Sequence, residues 1–223
     1  MMNKQKRQAI GAWFLSVLFL VVSACANQSK NGSTDDRVYE DSVQIVDSVK
    51  ADTIVSKFTD QEIIRVVAGN SIGDFLLDQE VEDSNLFNRL GEVDSADAAM
   101  CKSWSMWYFG DEANEDTQEF DVYAACDADI DMKKSIQVMR LSNVDFELDN
   151  GISYGTNLSV LKESYPDAVE LTFTDATSDM IIQVYDDVAA GIAFELRNDE
   201  VRAVIVHAPN QGIENMYMPF YKQ

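Results

Sequence analysis

Residues 101–126 read CKSWSMWYFGDEANEDTQEFDVYAAC, with two apolar segments on either side of a polar loop. In segments 101–109 and 118–126, aromatic and aliphatic residues alternate with small or polar ones, which is typical of half-buried strands. Half of the intervening residues 110–117 are acidic, and they include glycine and asparagine, which favour turns. The stretch therefore predicts an antiparallel β-hairpin and a strand-rich region around it.

The register of this hairpin predicts a disulfide bond. Folding the chain at the loop places Trp107 opposite Phe120 and, in the same register, Cys101 opposite Cys126. Directly opposed Cβ atoms lie about 4.5–5.5 Å apart, and the closest such pairs are within bridging range. These two cysteines are the only ones after Cys25, and an even pair in an oxidising compartment favours a disulfide. Two reduced, buried thiols are the alternative.

Similar alternation recurs along the chain, and short turn-like segments connect the patterns. Short connections favour antiparallel hairpins over βαβ units. Helical spacing is found near residues 84–90 and again after Thr156, a candidate N-cap, up to Pro166. We predict strands at 102–109, 120–126, 135–141, 169–174, 180–185, 192–197 and 201–208.

The N-terminal residues predict export and membrane attachment. Three basic residues precede the apolar run 9–22, which is shorter than the roughly 20 residues of a spanning helix. The run ends in Val22-Ser23-Ala24-Cys25 and resembles the lipobox of bacterial lipoproteins. The resemblance implies cleavage before Cys25 and lipid attachment to it, and Ala26 favours the outer membrane. A soluble secreted protein and a retained membrane anchor are the alternatives.

Together these patterns predict an α+β fold of two tandem units, each a short helical element followed by an antiparallel β-meander. The helices are expected to cover one face of each sheet and to leave the other face open. The predicted boundaries are 1–24 for the signal peptide, 25–57 for the lipid-anchored flexible tether, 58–141 and 142–209 for the two units, and 210–223 for the C-terminal tail.

The second unit contains GISYGT at residues 151–156 before its helix, and YDD at 185–187 followed by GIAF at 191–194. These segments resemble the helix-plus-meander domains of BamE-type assembly lipoproteins and of the tandem-repeat β-lactamase inhibitory proteins. The resemblance implies the tandem fold and a role in binding another protein. It implies no specific partner.

The composition excludes several classes of function. A formal net charge of -22 at pH 7 argues against binding to nucleic acid and to anionic lipid surfaces. Membrane attachment is therefore expected to depend on the lipid. The charge is compatible with a solubilising surface, or with a basic partner or divalent cations.

The candidate partner-binding residues are aromatic and methionine side chains on the face of the hairpin opposite the cysteines. Trp104, Met106 and Tyr108 share this face, and cross-strand pairing places Tyr123 beside Trp104. If the face is open, tryptophan and tyrosine are the anchors expected in an interface. Core packing is the alternative, and the apolar tail 216–221 is expected either to dock on the domain or to engage a partner.

Short motifs suggest one covalent modification and one metal ligand. Four Asp-Ser/Thr-aliphatic or -alanine triplets resemble the O-glycosylation sequon of the Bacteroidetes, with acceptors Ser42, Ser48, Thr53 and Ser95. The alternating acids Asp127, Asp129 and Asp131 are weak calcium candidates. They lack the glycine and the bidentate glutamate of an EF-hand loop, so an acidic hairpin turn is the alternative.

No residue set predicts catalysis. Ser159 and Lys162 have the spacing of serine acyl-enzymes, but the accompanying motifs are missing and both side chains are expected to face solvent. The single histidine, His207, lies in an apolar strand and favours a structural role. We therefore expect no cofactor and no enzymatic activity. The leading hypothesis is an outer-membrane lipoprotein that binds another envelope protein, and the alternative is a lipoprotein that binds a small ligand or cation through acidic loops.

Overall fold

The computed structural model describes residues 54–59, 61, 63–109, 117–126, 133–214 and 216–222. Its contacts divide the chain into units 1–47 and 48–223, and every described residue belongs to the second unit. In chain order the elements are α1 (Ile54–Phe58), β1 (Ile64–Val67), β2 (Ser71–Ile72), β3 (Phe75–Leu76), α2 (Leu86–Leu90), β4 (Ser95–Ala99), β5 (Lys102–Phe109), β6 (Gln118–Cys126), β7 (Lys134–Ser142), β8 (Phe146–Leu148), α3 (Leu158–Ser164), β9 (Val169–Asp175), β10 (Ile181–Asp187), β11 (Ile192–Arg197), β12 (Glu200–His207) and β13 (Tyr221–Lys222).

The strands form two sheets. The larger is a curled antiparallel sheet of nine strands in the order β13-β9-β10-β11-β12-β7-β6-β5-β4. The smaller has the order β3-β2-β1-β8, in which β1 and β8 pair in parallel. Because β12 pairs with β7, strands from both halves of the chain belong to one hydrogen-bonded sheet.

One face of the large sheet, which we call the core face, packs on the small sheet and the helices. Because side chains alternate along a strand, Trp107, Phe120 and Met139 lie on this face. They join a buried cluster with side chains from both sheets and the helices, and Phe58 of α1 packs edge-on against Phe120 with ring centroids 4.7 Å apart. This cluster is the main hydrophobic core.

The opposite face is crossed by residues 211–214 and 216–222, which we call the C-terminal strap, and we call this face the strap face. The Ile213 N–H donates to Asp186 of β10 over 2.9 Å, and Tyr221 of β13 pairs with Asp175 of β9. Met218 is fully buried between these points in a second apolar cluster that includes Trp104. The strap therefore spans the sheet from β10 to β5 and back to β9.

The predicted α+β fold of two tandem helix-plus-meander units is wrong. The described part of the protein is mostly β, and the helices in it have only five, five and seven residues. The predicted strands are present, but their pairing merges them into one sheet. The helix α2 lies within the predicted helical segment 84–90, but it is preceded by the short strands β1, β2 and β3, which were not predicted. The fold implied by the tandem-repeat resemblance is overturned with it.

Two local expectations also need correction. The second sheet face is not left open, because the strap covers it. The N-cap of α3 is Asn157, whose side chain accepts from the Ser159 N–H, and the Thr156 hydroxyl instead accepts from the Ser153 N–H over 2.9 Å. Asparagine and threonine are both good caps, so the pattern alone could not separate neighbouring positions.

A candidate binding groove between the edge strand and the C-terminal strap

The β5–β6 hairpin has the register predicted from the sequence. Trp107 pairs with Phe120 and Trp104 with Tyr123. The Cα atoms of Cys101 and Cys126 lie 5.5 Å apart, with the sulfur atoms at bonding distance. Cys101 lies in the turn between β4 and β5, so a disulfide at this position ties that turn to the end of β6.

The four candidate partner contacts share the strap face. Trp104 and Met106 are buried, whereas Tyr108 and Tyr123 are half-buried. The strap produces much of this burial, because Trp104 Nε1 donates to the Tyr217 carbonyl over 2.8 Å and the Trp104 ring meets Phe220 edge-on at 5.4 Å. Trp104 and Met106 therefore contribute to the walls of a groove, rather than standing out as anchors on a flat surface.

Two cavities lie between the β4–β5 pair and the strap, and together we call them the groove. The smaller, of about 470 Å³, is lined by Trp104 and Tyr123, and the larger, of about 710 Å³, by Met106 and Tyr108. Asp97 lines both cavities, and the Tyr217 hydroxyl donates to its Oδ2 over 2.6 Å. A single hydrogen bond from the strap to the edge strand thus lies where the two cavities meet.

The larger cavity combines carboxylates with aromatic rings. Hydrogen bonds from Ser178 and Thr177 outweigh partial burial and hold the pKa of Asp175 below its ordinary value, so this group is anionic at neutral pH. The pKa of Tyr108 is raised mainly by burial and then by the charges of Glu119 and Asp121. The Tyr108 hydroxyl is therefore protonated at neutral pH. The charged and aromatic lining residues are Asp94, Asp97, Glu119, Asp175, Arg140, Tyr108, Phe220 and Tyr221.

Arg140 lies at the base of the groove and is held by three carboxylates. Its Nε and Nη2 donate to the two oxygens of Glu195 over 2.6 and 3.1 Å. Its Nη1 donates over 2.7 Å to both Glu119 and Asp121. Phe220 of the strap stacks on the guanidinium at 4.4 Å, which adds a cation–π contact. The strap is therefore packed directly on the ion cluster.

The cluster has more acids than bases. Asp121 is fully buried, and its Oδ1 atom has no hydrogen-bond partner among the described residues. Burial, reinforced by Glu119 and opposed by Arg140, raises the pKa of Asp121 well above its ordinary value. The Tyr221 hydroxyl donates to Glu195 over 2.5 Å, and burial raises the pKa of Tyr221 as well. The cluster therefore favours a neutral Asp121 and a protonated Tyr221.

A second buried pair fixes the start of the strap. His207 Nε2 lies 3.0 Å from Asp186 Oδ1, and the other Asp186 oxygen accepts from the Ile213 N–H over 2.9 Å. His207 Nδ1 lies 3.1 Å from the Ala208 carbonyl. Both His207 and Asp186 are inaccessible to solvent, so the arrangement favours the structural role expected for this histidine.

Of the remaining candidates, Ser95 borders the groove, and the others are separate from it or lie outside the described residues. Ser159 and Lys162 are exposed on α3, and the Ser159 hydroxyl donates to Asn157. Ser95 is half-buried on β4 and lines the larger cavity. The other predicted sites lie outside the described residues: Cys25, Ser42, Ser48, Thr53, Asp127, Asp129 and Asp131.

The ion cluster was missed from the sequence, although a signal was present. Arg140 lies between Met139 and Leu141, and Asp121 lies between Phe120 and Val122, so each charge is flanked by core-face residues. Such a pattern indicates charges on the second face of a strand. That these charges meet depends on the order of β6, β7, β12 and β11, which local patterns do not give.

Among the described residues, every helix is too short or too polar to span a membrane. The same residues contain no group of three or more histidine, cysteine or acidic side chains arranged to hold a metal ion. No protein family model, no curated protein and no solved structure matches the chain.

Proposed function

We propose that this chain is a non-enzymatic binding protein of the bacterial cell envelope, anchored to the outer membrane by a lipid on Cys25. Its groove receives a positively charged segment of another envelope protein. The observation that supports this proposal is the combination, in one groove, of two adjacent cavities, aromatic walls and several carboxylates. Cationic side chains are attracted to carboxylates and to aromatic faces, so the lining suits lysine or arginine.

The net charge of the whole chain supports the same type of partner. At -22, the chain attracts a basic segment over longer distances, and such attraction mainly increases the rate of association. A lipid on Cys25 raises the effective concentration of the groove near the membrane, so a weak site is sufficient there. The mechanism is complementarity of charge and shape, without a chemical step.

Fluorescence anisotropy tests the proposal with the full-length lipidated protein in detergent. The probe is a fluorescein-labelled peptide of alternating lysine and valine, and a peptide of alternating glutamate and valine is the charge control. We expect binding of the lysine peptide only. The double variant Asp94→Asn/Asp97→Asn should lower the affinity for the lysine peptide about tenfold, which corresponds to about 1.4 kcal/mol.

A matched control separates the groove from the overall charge. The double variant Glu163→Gln/Asp167→Asn removes the same charge from exposed residues that do not line the groove. Its affinity should stay within about twofold of the wild type, because distant exposed charges are screened. Equal losses in both double variants, or no binding of the lysine peptide, would contradict the proposed function.

A small cationic ligand is the second candidate. The larger cavity, at about 710 Å³, has a volume typical of small-molecule sites. Spermine and calcium chloride are the appropriate probes in the same assay. Spermine binding that depends on Asp94 and Asp97, in the absence of peptide binding, would favour this candidate over a protein partner.

A further inference from the structure

Strand β4 is at one edge of the large sheet, and the direction of its main-chain groups can be derived. The Cys126 N–H donates to the Cys101 carbonyl, so the odd-numbered residues of β5 direct their main-chain groups towards β6. The even-numbered residues of β5 therefore face β4, where Trp104 pairs with Asp97. It follows that Ser95, Asp97 and Ala99 bond to β5, whereas Ala96 and Ala98 direct their N–H and C=O groups outwards.

This outer edge is available to another strand. Among the described residues, β5 is the only strand that pairs with β4. Ala96, Ala98 and Ala99 are exposed and small, so a second main chain can approach closely. Natural edge strands are commonly protected by lysine, proline or a bulge, and β4 contains neither lysine nor proline. Both cavities of the groove also border β4.

We propose that the basic partner segment binds as an extended strand on β4, with its main chain hydrogen-bonded to Ala96 and Ala98. Alternate side chains of the added strand then lie on the strap face, beside Asp97 and the opening of the larger cavity. This inference rests on the proposed function and specifies how the partner is held. Main-chain pairing supplies affinity, and the pockets beside alternate side chains supply specificity.

Charge complementarity favours a basic partner over a second copy of this chain. Antiparallel pairing of two β4 strands would bring the carboxylate of Asp97 close to the same group of the second copy. Like charges opposed on neighbouring strands are destabilising. With a chain charge of -22, the repulsion extends beyond the edge itself.

Proline substitution tests the inference without changing the charge of the groove. In Ala98→Pro and Ala96→Pro, an outward N–H is removed while the bonds to β5 are retained, and proline is tolerated at such edge positions. Ala98→Val and Ala96→Val are the matched controls, because they keep the N–H. With the lysine–valine peptide as probe, the proline variants should lose about tenfold in affinity and the valine variants less than about threefold.

The unfolding temperature shows whether each proline variant folds, and sedimentation shows whether the wild type forms a dimer. If the proline variants do not fold, the same peptide methylated at its main-chain nitrogens is tested against the wild type and should not bind. Normal affinity in the proline variants, or binding of the methylated peptide, would overturn strand addition. Loss of affinity in Asp94→Asn/Asp97→Asn would still support the proposed function. A wild-type dimer that Ala98→Pro dissociates would identify a second copy as the occupant and overturn the inference.

Discussion

At the scale of single residues, the ion cluster around Arg140 is the least expected part of this protein. One guanidinium faces Glu119, Asp121 and Glu195, all at hydrogen-bonding distance. Burial of charge is costly unless each group is paired, and three carboxylates cannot all be neutralised by one arginine. Protonation of the most buried acid relieves this excess, which is consistent with the direction of the Asp121 pKa shift.

The Asp121 shift predicts a specific dependence of stability on pH. Because its pKa is raised in the folded state, mainly by burial and then by Glu119, the folded state binds the proton more tightly than the unfolded state. Its contribution to stability is present below the ordinary carboxyl pKa of about 4 and is lost as the pH rises through the raised value. Relative to Asp121→Asn, the free energy of unfolding of the wild type should therefore fall across that range in urea titrations.

The comparison needs a variant that changes charge outside the cluster. Asp167→Asn removes an exposed carboxylate and leaves Arg140 and its partners unchanged. This variant should keep the pH profile of the wild type, whereas Asp121→Asn should flatten it. The same profile in all three proteins would show that Asp121 ionises normally in the folded state.

At the scale of elements, the C-terminal strap is essential for closing the second face of the sheet. It covers Trp104, Val138 and Val184, which would otherwise form an exposed apolar patch. It also supplies Tyr217, Phe220 and Tyr221 to the walls of the groove. The groove therefore exists only when the strap is docked.

The buried methionine of the strap gives a direct test of its contribution. Met218→Ala should lower the free energy of unfolding by about 2–5 kcal/mol, because it leaves a cavity beside Trp104. Met100→Ala, at a fully exposed turn position, should change it by less than about 0.5 kcal/mol. Urea unfolding and acrylamide quenching of tryptophan emission measure the two effects. Equal free energies of unfolding for both variants would show that the packing of the strap contributes little to stability.

The predicted disulfide also links secondary-structure elements, because it joins the β4–β5 turn to the end of β6. Cys101 and Cys126 are separated by 25 positions, and the chain-entropy model assigns such a loop about 3.5 kcal/mol. The double variant Cys101→Ser/Cys126→Ser should therefore lower the urea midpoint. A reducing agent should have the same effect on the wild type and none on the double variant. Insensitivity of the wild type to reduction would indicate free thiols.

At the scale of the whole molecule, the strongly acidic domain and the predicted lipid have separate roles. A chain of charge -22 is repelled by anionic membranes, so the proposed membrane attachment requires an anchor. Several acyl chains on one residue bind membranes far more persistently than a single chain does. Under the proposed function, the charge of the domain serves partner selection rather than membrane binding.

The anchor is tested by one substitution at Cys25. Cys25→Ser should either release the protein into the soluble fraction or leave it as the uncleaved precursor, because the thiol that receives the lipid is absent. Membrane fractionation and mass spectrometry of the N-terminal fragment measure the change. Cys101→Ser is the control, since it removes a cysteine within the described domain. An unmodified Cys25 in the wild type, or a cleaved and lipid-modified N-terminal fragment in Cys25→Ser, would contradict the lipoprotein prediction.

The sequence predicted local structure better than arrangement. Alternation identified β5 and β11 with their full bounds, and the pairing rule placed Cys101 opposite Cys126. Six shorter strands were not predicted, because two to five residues are too few for a clear period: β1, β2, β3, β4, β8 and β13. Two apparent repeats suggested two units, but the pairing of β7 with β12 produced one sheet.

The sequence by itself determined the longer strands β5, β6, β7 and β9 to β12, the hairpin register and the excess of negative charge, because these depend on neighbours in the chain and on composition. The tertiary structure alone decided which strands are adjacent, that the strap covers the second face, and that Arg140 meets Glu195 across 55 positions. These contacts depend on burial of apolar surface by residues distant in sequence, so no local pattern specifies them. The groove is a product of that packing.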